Sequence, residues 1–455
     1  MLHGIDSFSK QLIMKTIITT ITVLIQLALF AQLPKGDRTL AWVTEPAEGE
    51  EFIDAFNYGL DGCMESVHHF FKWNDIETDS GIYDADFIYN YLDVPNLFYP
   101  LHDMKVEMTI AMTNTVSKET PDDLLPVSWN DPELINRFKI FMDTVLTHLP
   151  DVELEVINIG NESDLLFNTD ETQYAAFKVF LDSIIPYTKM RYNELYEKEV
   201  NIGVTMTLDG MISADRGPLC ALLNENTDVI STTYYPLEPD FTMSDPTVVF
   251  EDFDALVDAY ADSEQPIYFS ECGYASSETC NSNETKQAEF YSNVFEAWDL
   301  HADRIKYLTI FKLTDWSEEQ VVEFGEYYGL DDPAFLEYLR TLGVRQYDGI
   351  FKTAYDVILC ELESRDWCGS ACPLSKVEEE TSNQTRIYPQ PASAMINVSL
   401  PSSAIESFII INQYGKMVAQ SANNQIDVAH LPSGFYIALI RNMNGHFSTS
   451  SIMIQ

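Results

Sequence analysis

The chain has 455 residues, with 72 Asp and Glu against 26 Lys and Arg, a formal net charge of −46 at pH 7, and 46% apolar and 12% aromatic residues. That apolar share suffices for a packed core, so the acidity belongs to the surface and general disorder is excluded. A polyphosphate partner such as nucleic acid is excluded as well, because this field repels it, whereas a neutral polymer such as a polysaccharide approaches freely.

The length exceeds one ordinary domain and suits one barrel of roughly 250 to 350 residues plus a small module. At the N-terminus, Met14-Lys15 precedes an apolar run from Ile17 to Phe30 that is too short to span a bilayer, followed by Ala31-Gln32. This predicts a secretory signal peptide over residues 1–31, with Met14 as its start; a buried N-terminal element is the alternative. No later stretch is long and apolar enough to predict a transmembrane segment.

From Arg38 onward, short β-branched runs alternate with longer segments of helical periodicity. The runs are Thr39–Val43, Cys63–Phe71, Lys105–Met112, Glu153–Ile159, Val200–Met206, Asp228–Tyr234, Pro266–Ser270 and Ile305–Phe311. Between them, "PELINRFKIFMDTVLTHL", "TQYAAFKVFLDSIIPYTKMRYNELY" and "TKQAEFYSNVFEAWDLH" carry apolar residues at spacings of three and four. Strand then helix, repeated eight times, predicts an α/β fold: a (β/α)8 TIM barrel over residues 38–360. An open doubly wound sheet is the rival, but no Gly-rich phosphate turn follows the first strand.

In such a barrel the residues just past the strand ends converge on one mouth. "EVINIGNESD" ends the fourth strand on Asn161 and Glu162, and "QPIYFSECGYASS" ends the seventh on Glu271. Two opposed carboxyls about 5–5.5 Å apart are the minimum apparatus for retaining glycoside hydrolysis. The plain alternative is that both are solvated loop residues in a very acidic chain.

Seven cysteines suit an exported protein. Cys272 with Cys280, and two of Cys360, Cys368 and Cys372, are close enough in sequence to pair, with Cys63 or Cys220 as the odd buried thiol. A zinc site in the latter cluster lacks a fourth ligand at finger-like spacing. His68-His69 lies in the second strand, where one side chain turns inward; a packed or substrate-facing histidine is expected there, with no metal and no cofactor.

Four stretches together resemble the large clan of retaining (β/α)8 glycoside hydrolases with an Asn-Glu acid/base after strand four and a glutamate nucleophile on strand seven. They are "FKWNDIETDSGIYD", with Thr78 where a proline is common; "NIGNESD"; "IYFSECGYASSETCNSNETKQAEFYSNVFEAW", with Cys272 where a small or aliphatic residue is usual; and "YLTIFKLTDWSEE" with "LGVRQYDGIFKTAYDVI". The resemblance implies Glu162 as general acid/base and Glu271 as nucleophile. It implies Asn161 on the sugar 2-hydroxyl, Tyr235 (or Tyr234) orienting the nucleophile, and Trp316 and Trp73 as stacking surfaces, with core packing the alternative for Trp73 and for the tyrosine. A secreted β-glycosidase acting on a carbohydrate substrate follows, the alternative being a non-catalytic surface glycan-binding protein on a degenerate barrel.

After Cys360 the chain turns polar and Ser-rich over residues 361–385, which reads as a linker. Residues 386–455 alternate apolar and polar between turns, predicting a small all-β sandwich. Tyr388-Pro389-x-Pro391, Asn412-x-x-Gly415-Lys416 and Leu431-Pro432-x-Gly434-x-Tyr436 resemble the C-terminal sorting domain of the type IX secretion system of Bacteroidetes. That resemblance implies the secretion machinery as partner and a location outside the outer membrane. A carbohydrate-binding module is the alternative, without an evident row of exposed aromatics.

Overall fold

A computed structural model describes residues 32–369, 372–373, 387–389, 391–400, 405–412, 417–442 and 447–455. The expected signal peptide lies outside them, as does most of the expected linker. The chain divides into two compact units between Pro373 and Leu374.

The first unit is a (β/α)8 barrel. Its parallel strands are Thr39–Trp42, Ser66–Lys72, Lys105–Asn114, Glu153–Asn161, the fifth in two pieces (Asn201–Gly203 and Thr205–Thr207), Ile230–Tyr234, Ile267–Cys272 and Ile305–Ile310. The ladder runs from the first piece of the fifth strand through strands four, three, two, one, eight, seven and six to its second piece. The break at Val204 thus closes the ring: Ile202 pairs with Ile157 of the fourth strand, and Met206 with Thr232 of the sixth.

Helices cover the outside because their apolar faces have nowhere else to go. Pro132–Thr147 starts on an Asp131 side-chain cap and a proline in its first turn, and it buries Leu134, Phe138, Phe141, Met142 and Val145. Glu171–Tyr196 is capped by Asp170, and Glu284–Leu300 by Asn283. Inside the ring, Ala41, Val156, Val229, Tyr268 and Tyr307 form a small apolar layer. Above it lies a polar layer in which Asn158 donates to Glu107 and Ser270.

Several sequence expectations need correction here. The disulfides are Cys63–Cys368 and Cys360–Cys372, while Cys220, Cys272 and Cys280 are free and buried. Cys63 is therefore not the odd thiol, and Cys272 does not join Cys280. Nor does residue 361 begin a linker. The helix Thr353–Ser364 runs past it, Arg365 binds Asp299 at 2.9 Å, and buried Trp367 packs on Trp298 at 5.1 Å between centroids. Composition signalled a linker because this segment is polar, but its few apolar and cysteine side chains tie it to the barrel.

The second unit holds a three-stranded sheet (Ile387–Tyr388, Met395–Val398, Gln425–Asp427) and a four-stranded antiparallel sheet. The latter is built from Ile405–Asn412, Met417–Ser421, Gly434–Asn442 and Phe447–Ile454. Alternate residues Phe408 and Ile410, Tyr436, Ala438 and Ile440, and Ile452 and Ile454 face one shared core.

Candidate active site

A cavity of roughly 1080 Å³ opens at the C-terminal ends of the barrel strands, and Asn161, Glu162, Tyr235, Glu271, Phe311 and Trp316 all line it. Two backbone irregularities aim the carboxylates. In the fourth strand Gly160 has φ +97, and a Cβ there would stand 2.6 Å from Thr113 Oγ1, so only glycine fits. Two residues later Glu162 itself adopts φ 46, ψ 43, an uncommon conformation for a residue with a side chain. In the seventh strand the register slips around Ser270 against both neighbours. This bulge breaks the alternation that would put Glu271 on the same face as Phe269, which packs outward on Phe253. Ser270 and Glu271 consequently both face inward.

The two carboxylates occupy different environments. Glu162 accepts hydrogen bonds from Thr115 Oγ1 at 2.6 Å and Thr233 Oγ1 at 2.9 Å. Burial, then the charge of Glu271, push its pKa up to about 7, so it holds a proton more tightly than an ordinary carboxyl. Glu271 is 9% exposed, and its Oε2 accepts from the Tyr235 hydroxyl at 2.5 Å. Burial raises its pKa too, but the nearby His68 and the Tyr235 hydrogen bond both act in the opposite direction. One group is thereby biased toward the acid form while the other is supplied with partners for its charge.

Asn161 donates from Nδ2 to Asn114 Oδ1 at 3.1 Å, and its own Oδ1 is buried with no protein partner. Of the two tyrosines, Tyr235 reaches Glu271, whereas Tyr234 donates instead to Asp252 Oδ2. Trp316 lines the cavity, edge-on to Phe324 at 5.0 Å, with the Lys312 ammonium over its ring. Trp73 does not belong to the site. It is fully buried, donates from Nε1 to Glu77 Oε2 at 2.8 Å and packs edge-on against Phe138, so its role is in the core.

Several lining residues were not singled out from the sequence. Phe311, at the end of the eighth strand, sits edge-on to Tyr235 at 5.7 Å, and Tyr338 does the same at 5.8 Å. Phe324, Tyr328, Phe335 and Tyr338 come from the helices Glu318–Tyr328 and Pro333–Arg340, inserted after the eighth strand. Their only advance signal was an aromatic cluster in an otherwise acidic stretch. Among the described residues, no group of three or more His, Cys, Asp or Glu side chains is placed to hold a metal ion. Among the same residues, no helix is long and apolar enough to cross a membrane.

Solved glycoside hydrolase structures share this barrel. The exo-β-1,4-mannosidase Op5Man5 from Opitutaceae bacterium strain TAV5 superposes with a TM-score of 0.53 at 15% identity, over 72% of this chain. The chain spans 60% of that mannosidase's length. A GH5_18 variant from Bifidobacterium longum subsp. longum, in complex with Manβ1-4GlcNAc, gives 0.54 at 15% identity, covering 72% of this chain and 79% of its own. A GH5_18 variant from Streptomyces cattleya, with the same disaccharide, gives 0.54 at 13% identity, covering 78% and 83%. No curated protein sequence matches this one. Residues 386–455 match the family profile of the secretion system C-terminal sorting domain. The tail is thus a type IX sorting domain, and the chain carries the address of a secreted or surface-attached protein.

Proposed function

We propose that the barrel is a retaining glycoside hydrolase that cleaves β-glycosidic bonds outside the cell. The observation that carries this reading is the pairing, in one cavity, of a proton-holding Glu162 with a Glu271 that accepts a hydrogen bond from the Tyr235 hydroxyl. In the first step a Glu271 oxygen attacks the anomeric carbon, forming a glycosyl ester as the C–O bond to the leaving group breaks. Glu162 gives that leaving oxygen its proton. In the second step Glu162 takes a proton from water, and the water oxygen displaces Glu271. Asn161 lines the cavity next to Glu162, where it would hydrogen-bond a sugar hydroxyl, a contact that strengthens as charge develops in the transition state. Phe311 and Trp316 offer apolar faces to a pyranose ring.

The test is a screen of the full chain against chromogenic β-glycosides and polysaccharides, starting with β-mannosides because two of the superposing structures hold Manβ1-4GlcNAc. Glu271→Gln should abolish turnover while leaving the fold intact, since an amide cannot form the ester. Glu162→Gln should retain turnover of substrates whose leaving groups need no protonation. Product analysis by NMR should show retained anomeric configuration; inversion, or wild-type turnover by Glu271→Gln, would sink the reading.

A further inference from the structure

His68 stands beside Glu271 on the floor of the cavity, and the chemistry just described leaves it unused. Its register partner on the third strand is Glu107, so both side chains leave the same face of the sheet and point into the barrel. Nδ1 of His68 is hydrogen-bonded to Glu107 Oε2, and Nε2 lies 4.0 Å from Glu271 Oε1. The Glu107 side chain is completely buried, and its other oxygen accepts from Thr109 Oγ1 at 2.7 Å and Asn158 Nδ2 at 2.6 Å.

These donors are neutral, so among these contacts His68 is the group able to bring a positive charge to the buried Glu107 carboxyl. The second ring nitrogen decides the protonation state. With Nδ1–H given to Glu107, a neutral ring would aim the lone pair of Nε2 at the oxygen of Glu271, whereas a protonated ring turns one N–H toward each carboxyl.

We propose that His68 is an imidazolium fixed by Glu107, and that it is the positioning cation that keeps Glu271 ionised and oriented for attack. This rests on the glycoside hydrolase reading. His68 keeps its proton through the cycle: its Nδ1–H stays hydrogen-bonded to Glu107 when the Glu271 charge is consumed in the ester, and the proton delivered to the leaving group comes from Glu162.

The remaining titratable neighbours are compatible. On the same strand, the His69 Nε2–H donates to the Tyr91 carbonyl at 2.7 Å, and burial holds its pKa down at about 4, so no second cation competes. Tyr307, on the eighth strand near Glu107, and Tyr235, on the far side of Glu271, are phenols pushed well above their usual range by burial. Burial works against a charge on His68, but Glu107 and Glu271 together outweigh it and the net direction is upward.

The decisive measurement is 15N NMR of the histidine rings in the full-length chain, with the His68 signals assigned by their loss in His68→Asn. In the wild type, both ring nitrogens should be protonated at about pH 7.5, above the ordinary histidine value. In Glu107→Gln the ring should lose a proton at lower pH. In Glu271→Gln, which changes only the cavity side, the same titration should also move down. A singly protonated ring at about pH 7.5 in the wild type overturns the proposal, as does a titration unmoved by Glu271→Gln.

On a 4-nitrophenyl β-glycoside that the wild type turns over, His68→Asn should lower kcat more than it raises KM. It should also move the acidic limb of the pH profile upward by roughly 1–3 units, the usual effect of one adjacent charge. An unmoved limb would mean a packing role. The NMR arm needs no substrate, so a failure of the glycosidase reading and a failure of the His68 assignment give different results.

Discussion

The Tyr235 hydroxyl donates to Oε2 of Glu271 at 2.5 Å, joining the residue that follows the sixth strand to the end of the seventh. Burial drives the phenol pKa well above its usual range, so Tyr235 stays a donor at any pH the protein meets. Tyr235→Phe removes one charge-assisted hydrogen bond, a loss of about 1.5–3 kcal/mol. It should therefore slow turnover by about ten- to a hundredfold, with KM less affected. Steady-state kinetics beside a thermal melt separate this from unfolding; wild-type kcat would show that the nucleophile needs no orienting phenol.

The shift at Glu162 makes a paired prediction about activity and stability. As general acid it must be protonated, so the rate should fall as pH rises through about 7. The acidic limb belongs to Glu271, which must be ionised and whose pKa is raised from the ordinary carboxylate value. For stability, a folded-state pKa above the unfolded one contributes fully below the unfolded value and is lost as pH rises through the folded one. Glu162→Gln cannot ionise, and the hydroxyls of Thr115 and Thr233 can turn to accept from its amide. It should melt above wild type at about pH 8, by up to roughly 3 kcal/mol, with the gap closing toward about pH 4. Melting curves that stay parallel over that range would remove the assignment of a raised pKa.

The two disulfides should differ in weight. Cys63–Cys368 closes a loop with a sequence separation of 305, and Cys360–Cys372 one of 12. In the chain-entropy account the longer loop stabilises more, by about 5–6 kcal/mol against about 3. Denaturant unfolding of the Cys63→Ala, Cys368→Ala pair should show the larger loss. Equal losses would show that packing at the two sites outweighs loop closure.

Truncation should distinguish the barrel's edge from the linker. A chain ending at Pro373 keeps both disulfides, Arg365 on Asp299 and Trp367 on Trp298, so it should melt like the barrel of the full protein while losing export. A chain ending at Cys360 loses all four of these ties and should melt markedly lower. Matching melting points for the two truncations would mean that residues 361–373 contribute nothing to the barrel.

The sequence by itself determined the barrel, its eight strands and the residues at their ends. Apolar period and strand-end position are local properties, which is why Asn161, Glu162 and Glu271 could be named before any coordinates, while Tyr235 came from the resemblance of its stretch to the clan. The alternating pattern after residue 386 was local in the same way. What depends on contacts across the ring was decided only by the tertiary structure. Trp73 sits in a motif that suits either stacking or packing, and only its neighbours Phe138 and Glu77 show that it is core. Cys63 finds Cys368 because the closing helix returns to the bottom of the first turn, a meeting that no spacing rule encodes. Glu107 read as one more acidic residue among 72. Its place under His68 follows from the register of two parallel strands, and register is a relation between segments that neither segment specifies alone.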